Sequence, residues 1–318
     1  MALDNLENLC VSSLNVNSLT YSKFTHIKEI INKLHILALI DTRIHPINEK
    51  NYRINGTSKH LNANTTSGKK GIFIFYKNFI KPTFNDIIPG QLTEMTFQFS
   101  NVDFQIFFIY GPSENDNPTF FDNIQTPSNP NIASIIMGDW NVIMDTNKDR
   151  TSSKKYYKPL SNVAVKNMAF EQDLVDPWRQ ENMSLKAFSW EKWDKTQSSR
   201  IDYALINDKA LTMHQNTTYH PPPFDTDHKR LQIAIKINKF KRGPGFPRVK
   251  YEMYSDPLFV KTVNEMIDTT IKESQLPPEN TLDLILFNTT TIAREITCLL
   301  YTSPSPRDAH ESRMPSSA

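Results

Sequence analysis

Short apolar runs alternating with amphipathic stretches predict a layered α/β protein over the first 238 residues of this 318-residue chain. Several runs are apolar on both faces, as strands buried between layers are. Chemically distinctive polar residues stand at the ends of those runs. Residues 9–14 (LCVSSL) read as a strand. The stretch 21–34 reads as a helix, with Phe24, Ile27, Ile30, Ile31 and Leu34 at helical spacing. The runs ILALI (36–40), GIFIFY (71–76), MTFQF (95–99) and FQIFFIY (104–110) read as strands. So do ASIIMG (133–138), IDYALI (201–206) and LQIAIKI (231–237), while 163–174 is a second helix. Polar segments rich in Asn, Ser, Thr and Pro connect them, and no internal repeat is present.

The character changes at Lys239. KFKRGPGFPR is a basic, Gly/Pro-punctuated linker, and helical patterns follow over 256–272 and 282–297. Charge marks the same boundary: 26 basic and 24 acidic residues lie within 1–238, and eight of each within 239–297. The expected organisation is a catalytic-type domain over 1–238 and a linker with helical connector over 239–297. Residues 298–308, CLLYTSPSPRD, read as a translated sequencing adapter, and SRMPSSA at 312–318 resembles the far end of the same oligonucleotide. The segment 298–318 is therefore expected to be an unstructured artefact of a truncated reading frame, with natural sequence missing beyond it.

Composition excludes some classes. The formal net charge of +2 rules out a strong whole-chain field, so any nucleic-acid surface has to be local. Two cysteines cannot build a disulfide framework. No apolar run is long enough for a bilayer, and the N-terminus lacks a signal-peptide pattern. A reduced, intracellular protein without a membrane partner is expected.

The polar signals share one position. Asn15 and Asn17 follow the first strand, Asp41 the second, and Tyr110 ends FQIFFIY. Asp139 and Asn141 lie in Gly138-Asp139-Trp140-Asn141, Asp202 in Ser199-Arg200-Ile201-Asp202, and Asp227-His228 precedes the last strand. Taken singly, each reads as a turn former, a cap or a core residue, and Trp140 reads as core throughout. The ordered set carries the signal, because side chains at one edge of a sheet converge on a ligand.

That order resembles the endonuclease/exonuclease/phosphatase superfamily across about residues 9–238. The resemblance implies a four-layer α/β sandwich, two packed β-sheets flanked by helices. It also implies phosphodiester hydrolysis with Mg²⁺, Mn²⁺ being the substitute ion. Asp41 would be the metal carboxylate, with Asn17 near the metal shell. Asp139 would orient or deprotonate the attacking water, while Asn141 and Asn15 hold phosphate or active-site carboxylates. His228 would lie against the phosphoryl oxygens, its ring fixed by Asp202. Tyr110 and Asp227 would serve the phosphate or leaving oxygen, Asp227 being counted with the metal set. Two positions depart from the family: Asp41 replaces a Glu and is one methylene shorter, and Asn17 replaces a second carboxylate. The shorter reach of Asp41 implies reduced activity.

Three segments resemble the DNA-nicking domain of non-LTR retrotransposon polyproteins: Asn15-Val16-Asn17-Ser18-Leu19, Phe188-Ser189-Trp190, and GPGF followed by DPLFV. The expected act is a nick that leaves a 3′-OH to prime reverse transcription. Partners would be target DNA and, through the missing downstream region, the element's RNA. Synthesis would be cytoplasmic and the site of action nuclear, although no targeting signal is seen. Lys154, Lys155 and Lys158, interleaved with Tyr156 and Tyr157, are expected to contact DNA together with Arg200 and Trp190. Two other readings are an abasic-site repair endonuclease, and a decayed element that binds nucleic acid without cutting.

Overall fold

The computed structural model describes residues 8–65, 68–152, 158–237 and 255–274, with scattered residues of 278–296. It divides the chain into two compact units, Met1–Lys239 and Phe240–Ala318. The first unit opens with β1 (Asn8–Asn15), α1 (Tyr21–Asn32), β2 (Ile36–Ile40), β3 (Thr57–Asn62) and β4 (Ile72–Lys77). Next come β5 (Thr83–Ile88), β6 (Leu92–Phe99), β7 (Val102–Tyr110), β8 (Ala133–Asp139), α2 (Pro159–Glu171) and α3 (Pro177–Glu181). The two-residue strands β9 (Trp190–Glu191) and β10 (Ser198–Ser199) form a small hairpin. It is followed by β11 (Asp202–Ile206), α4 (Asp208–Leu211), β12 (His214–His220) and β13 (Arg230–Lys236).

Two mixed sheets result. One has the order β12-β13-β1-β2-β4-β3, the other β11-β8-β7-β6-β5. Each contains one parallel pair, β1 with β2 and β7 with β8, and the other pairings are antiparallel. Strand alternation distributes the apolar side chains into layers. Ile36, Ala38 and Ile40 of β2 join Ile106, Phe108 and Met137 in the core between the sheets. The intervening Leu37 and Leu39 pack outward with Phe24, Ile27 and Ile31 of α1. On the outer face of the second sheet, Phe107, Ile109 and Ile136 pack with Val165 and Met168 of α2. Helix, sheet, sheet, helix is the four-layer arrangement that the sequence implied.

Within the two large sheets, three strands carry no mark in the hydropathy pattern: β3 (TSKHLN), β5 (TFNDII) and β12 (HQNTTYH). All three are sheet edges. An edge strand is paired on one side only and need not be apolar, so its sequence gives little periodic signal. In the second unit, α5 (Pro257–Glu273) occupies the predicted helical stretch, and Asp256 caps it by accepting from the Phe259 amide at 2.9 Å. Phe259 is buried with Ala293 and Ile296. The described residues within 282–297 are helical; the predicted linker 239–248 and the segment 298–318 lie outside the described residues.

Arg200, expected to face DNA, is fully buried and belongs to the framework. Its guanidinium forks onto Asp149, with Nε to Oδ1 at 2.8 Å and Nη2 to Oδ2 at 3.0 Å, and Nη1 donates to Asp176 Oδ2 at 2.6 Å. Arg179 closes onto the same Asp149. The correction has a simple cause: a buried charge is kept only when paired, and two carboxylates from distant loops supply the pairing. The network fastens the loop after β8 to α3 and to the start of β11. Arg200→Ala removes the guanidinium that joins buried Asp149 to half-buried Asp176 and should cost about 3–5 kcal/mol in chemical denaturation of the full chain. Phe170→Ala, at an 84% exposed position, should cost less than about 0.5 kcal/mol. Equal losses in the two variants would show that the network does not support the fold.

Candidate active site

The C-terminal ends of the two parallel pairs meet at one rim. Register sets Asn15 beside Ile40 in one sheet, and Tyr110 and Asp202 on either side of Asp139 in the other. Glycine makes the second approach feasible. A Cβ on Gly111 would lie 2.0 Å from the Trp140 carbonyl oxygen, and one on Gly138 would lie 2.2 Å from that of Ile109. Trp140 is buried, stacked on Tyr203 with its indole N–H donating to the Tyr203 carbonyl at 2.9 Å, the core position expected of it.

Asp139 is the centre. Its carboxylate is 1% exposed; Oδ2 accepts from Asn15 Nδ2 at 2.8 Å, and Oδ1 from the Asn141 amide at 3.0 Å. His228 Nε2 faces Oδ2 at 3.9 Å, and its Nδ1 is 2.9 Å from Asp202 Oδ2. Asp202 is fixed in turn: Ser189 Oγ accepts from the Ile201 and Asp202 amides at 3.0 and 2.9 Å, and Tyr219 donates to the Asp202 carbonyl at 2.7 Å. Burial pushes Asp139 above the usual carboxylate range, and Asp202 adds to the rise against the pull of His228. Burial alone would lower the His228 pKa, but the carboxylates of Asp202 and Asp139 outweigh it and hold the imidazolium. Tyr110 is raised by burial and by Asp41 and Asp139, so its phenol keeps its proton and can donate.

Asn17, Asp41 and Asn141 have φ of 44°, 55° and 53°. Asn and Asp accept this left-handed conformation more readily than longer side chains do. That gives a backbone reason for Asp rather than Glu at position 41. Asp41 Oδ2 and Asn17 Oδ1 converge, and hard oxygens of this kind suit a divalent cation such as Mg²⁺. The donor set therefore fits the implied ion. Arg43 Nη2 stands between the two oxygens, 2.6 Å from Asp41 and 3.0 Å from Asn17. Among the described residues, Asp139, Asp202 and His228 form a second group whose ligand atoms lie within 4.8 Å of one another.

The structure thus brings Asn15, Asp139, Asn141, Asp202 and His228 into direct contact, with Tyr110 beside them and Asp41 and Asn17 joined through Arg43. Asp227, expected with the metal set, accepts the Trp190 indole N–H at its Oδ2 at 2.8 Å. Trp190 is accordingly held at the base of the hairpin, and Trp193, 63% exposed, is the aromatic its tip presents. Lys158 also departs from the DNA-contact expectation. It is buried, with Nζ donating to the carbonyls of Pro112 and of Asn141, the latter at 3.1 Å. It clamps the loops that follow β7 and β8. Lys154 and Lys155 lie outside the described residues.

Sequence reasoning passed over Arg43, Ser189 and a cleft of about 280 Å³ beside His228, lined by Lys192, Trp193, Lys195, Pro222 and Lys229 among others. Ser189 lay inside the Phe188-Ser189-Trp190 segment, and Arg43 two residues past Asp41, where a cation beside a lone carboxylate was the available signal. The cleft depends on a hairpin whose lysines are exposed and featureless in one dimension.

No family model matches the chain, and no curated protein matches it. Solved structures do. An AP endonuclease from Leishmania major aligns with TM-score 0.62 at 13% identity, covering 73% of this chain and 89% of that one. An AP endonuclease from Archaeoglobus fulgidus aligns with TM-score 0.60 at 16% identity, covering 72% and 100%. A Neisseria 3′ phosphatase, solved bound to a product DNA hairpin, aligns with TM-score 0.56 at 13% identity, covering 72% and 99%. With two mixed sheets packed face to face between helices, the chain has the fold of these AP endonuclease and exonuclease-phosphatase structures.

Proposed function

We propose that the chain is a metal-dependent phosphodiesterase that cuts DNA. The observation that carries this reading is the buried Asp139–His228–Asp202 array at a rim shared by two sheets, with amide donors from Asn15 and Asn141 on the central carboxylate. Asp139, its pKa lifted by burial and by Asp202, is matched to taking a proton from an attacking water. The His228 imidazolium, steered by Asp202, directs fixed positive charge at the phosphoryl oxygens, and Tyr110 keeps a phenolic proton to donate. A divalent cation held by Asp41 and Asn17 would neutralise phosphate charge.

A DNA substrate is supported by the cleft next to His228, lined in part by Lys192, Lys195, Lys229 and Trp193, because cations and a stacking face suit a nucleic-acid strand. Within this reading we favour a nick leaving a 3′-OH that primes reverse transcription of a non-LTR element. That finer step rests on the NVNSL, FSW and GPGF segments of the sequence. Abasic-site repair is the second reading, favoured by the AP endonucleases among the structural neighbours. The 318-residue chain with Mg²⁺ should nick supercoiled plasmid. Preference for a duplex carrying an abasic site, without nicking of intact plasmid, would select the repair reading. Asp139→Asn should slow cleavage by about 10²–10⁴-fold in protein that remains folded by circular dichroism; equal rates would discard the assignment.

The pH profile tests the array more finely. Asp202 helps raise both Asp139 and His228. Asp202→Asn removes that negative charge, so Asp139 ionises and His228 deprotonates at lower pH. The window in which Asp139 is charged and His228 protonated should move to lower pH, and the peak rate should fall. Cleavage rates against pH, with the His228 imidazole followed by NMR, would show it. A window that stays in place or moves upward contradicts the coupling.

A further inference from the structure

The two side chains suited to a divalent cation are already turned on a cation that belongs to the chain. Arg43 forks onto Asp41, Nε to Oδ1 at 3.2 Å and Nη2 to Oδ2 at 2.6 Å, and the same Nη2 reaches Asn17 Oδ1 at 3.0 Å. The oxygens that would ligate a metal converge on one guanidinium nitrogen. A second cation stands close by: Lys23 Nζ, from α1, donates to the carbonyls of Val16 and Asn17 at 2.7 and 3.1 Å. Asp41 is 6% exposed at its side chain while Arg43 is 43% exposed, so the carboxylate is fixed and the guanidinium has open space to leave into. A divalent ion cannot share this position, since it would lie at contact distance from a like charge.

We propose that Arg43 is the resident counter-ion of the Asp41–Asn17 site, that a divalent cation must displace it, and that a phosphodiester draws it away. The last clause rests on the nuclease function proposed for this site. A guanidinium leaving one carboxylate fork finds its best replacement in phosphate oxygens, which match the same bidentate geometry. Arg43 interacts electrostatically with Tyr110, the strand-register partner of Asp139, so the site it guards is on the same rim as the array. Metal and DNA then bind with positive coupling, each tightening the other. The free protein holds its own cation; the DNA-bound protein exchanges it for a metal.

Mn²⁺ titration of the full chain, with free ion read by electron paramagnetic resonance, tests this without cleavage. Arg43→Ala should bind Mn²⁺ about tenfold tighter than wild type. Arg43→Gln, which keeps bulk and loses charge, should do likewise and carries the test if the alanine variant folds poorly. Adding Asp41→Ala should abolish the gain and so locate the ion. In the Asp139→Asn background, duplex DNA should tighten Mn²⁺ binding several-fold, and this coupling should disappear with Arg43→Ala. Unchanged or weaker Mn²⁺ binding in folded Arg43→Gln would overturn the proposal and make Arg43 a strut of the site. Such a result beside active nicking by wild type leaves the nuclease reading intact. Tighter binding in Arg43→Gln beside an inert wild type does the reverse.

Discussion

A carboxylate taken out of water has to be given hydrogen bonds, and Asp139 receives them from both sheets. Asn15, at the end of a strand in the first sheet, donates across the interface to a residue that ends a strand in the second. Asn141 donates from the turn that follows, and His228 approaches from the loop before the last strand. An unpaired acid at this depth would cost several kcal/mol or be neutralised. The stacking of the sheets and the satisfaction of Asp139 are therefore one condition. Gly138 and Gly111 answer to it as well, since any side chain there would push the strand ends apart.

Around that centre lies a support built from charge in place of apolar packing. Arg200 and Arg179 gather Asp149 and Asp176 from separate loops, and Trp178 and Tyr203 cover the guanidinium of Arg200. Lys158 does a related task for the loops after β7 and β8 by holding two carbonyl oxygens. None of these groups has a part in the proposed chemistry. They fix the backbone from which Asp202, Tyr110 and Asn141 project.

What could be read in the sequence follows from how each signal is encoded. The central strands and the buried edge β11 announced themselves because both faces are apolar, and the edges β3, β5 and β12 did not because their side chains are mostly half-buried or exposed. Asp139, Asp202 and His228 stood out through the chemistry of their strings at strand ends. Arg200 and Lys158 were misplaced for the opposite reason: a lone cation defaults to the surface. The partner that buries Arg200 is Asp149, 51 positions earlier and unmarked. Arg43 was hidden by a left-handed backbone at positions 41 and 43, a dihedral fact that brings a near neighbour back over the carboxylate it follows.

The pairing of β1 with β13 has a consequence for how such a chain comes to be folded. Asn8 lies opposite Lys236, so the first and last strands of the unit are neighbours inside one sheet, with β12 beyond the last. Contacts of such long sequence separation form slowly and late. A nascent chain cannot close this sheet until its last strand has left the ribosome. Asn15 and His228 arrive from those two ends, so the chemistry at the rim requires the long-range β1–β13 pairing. Until then the exposed edge of β1 is an invitation to mispairing that the chain must survive.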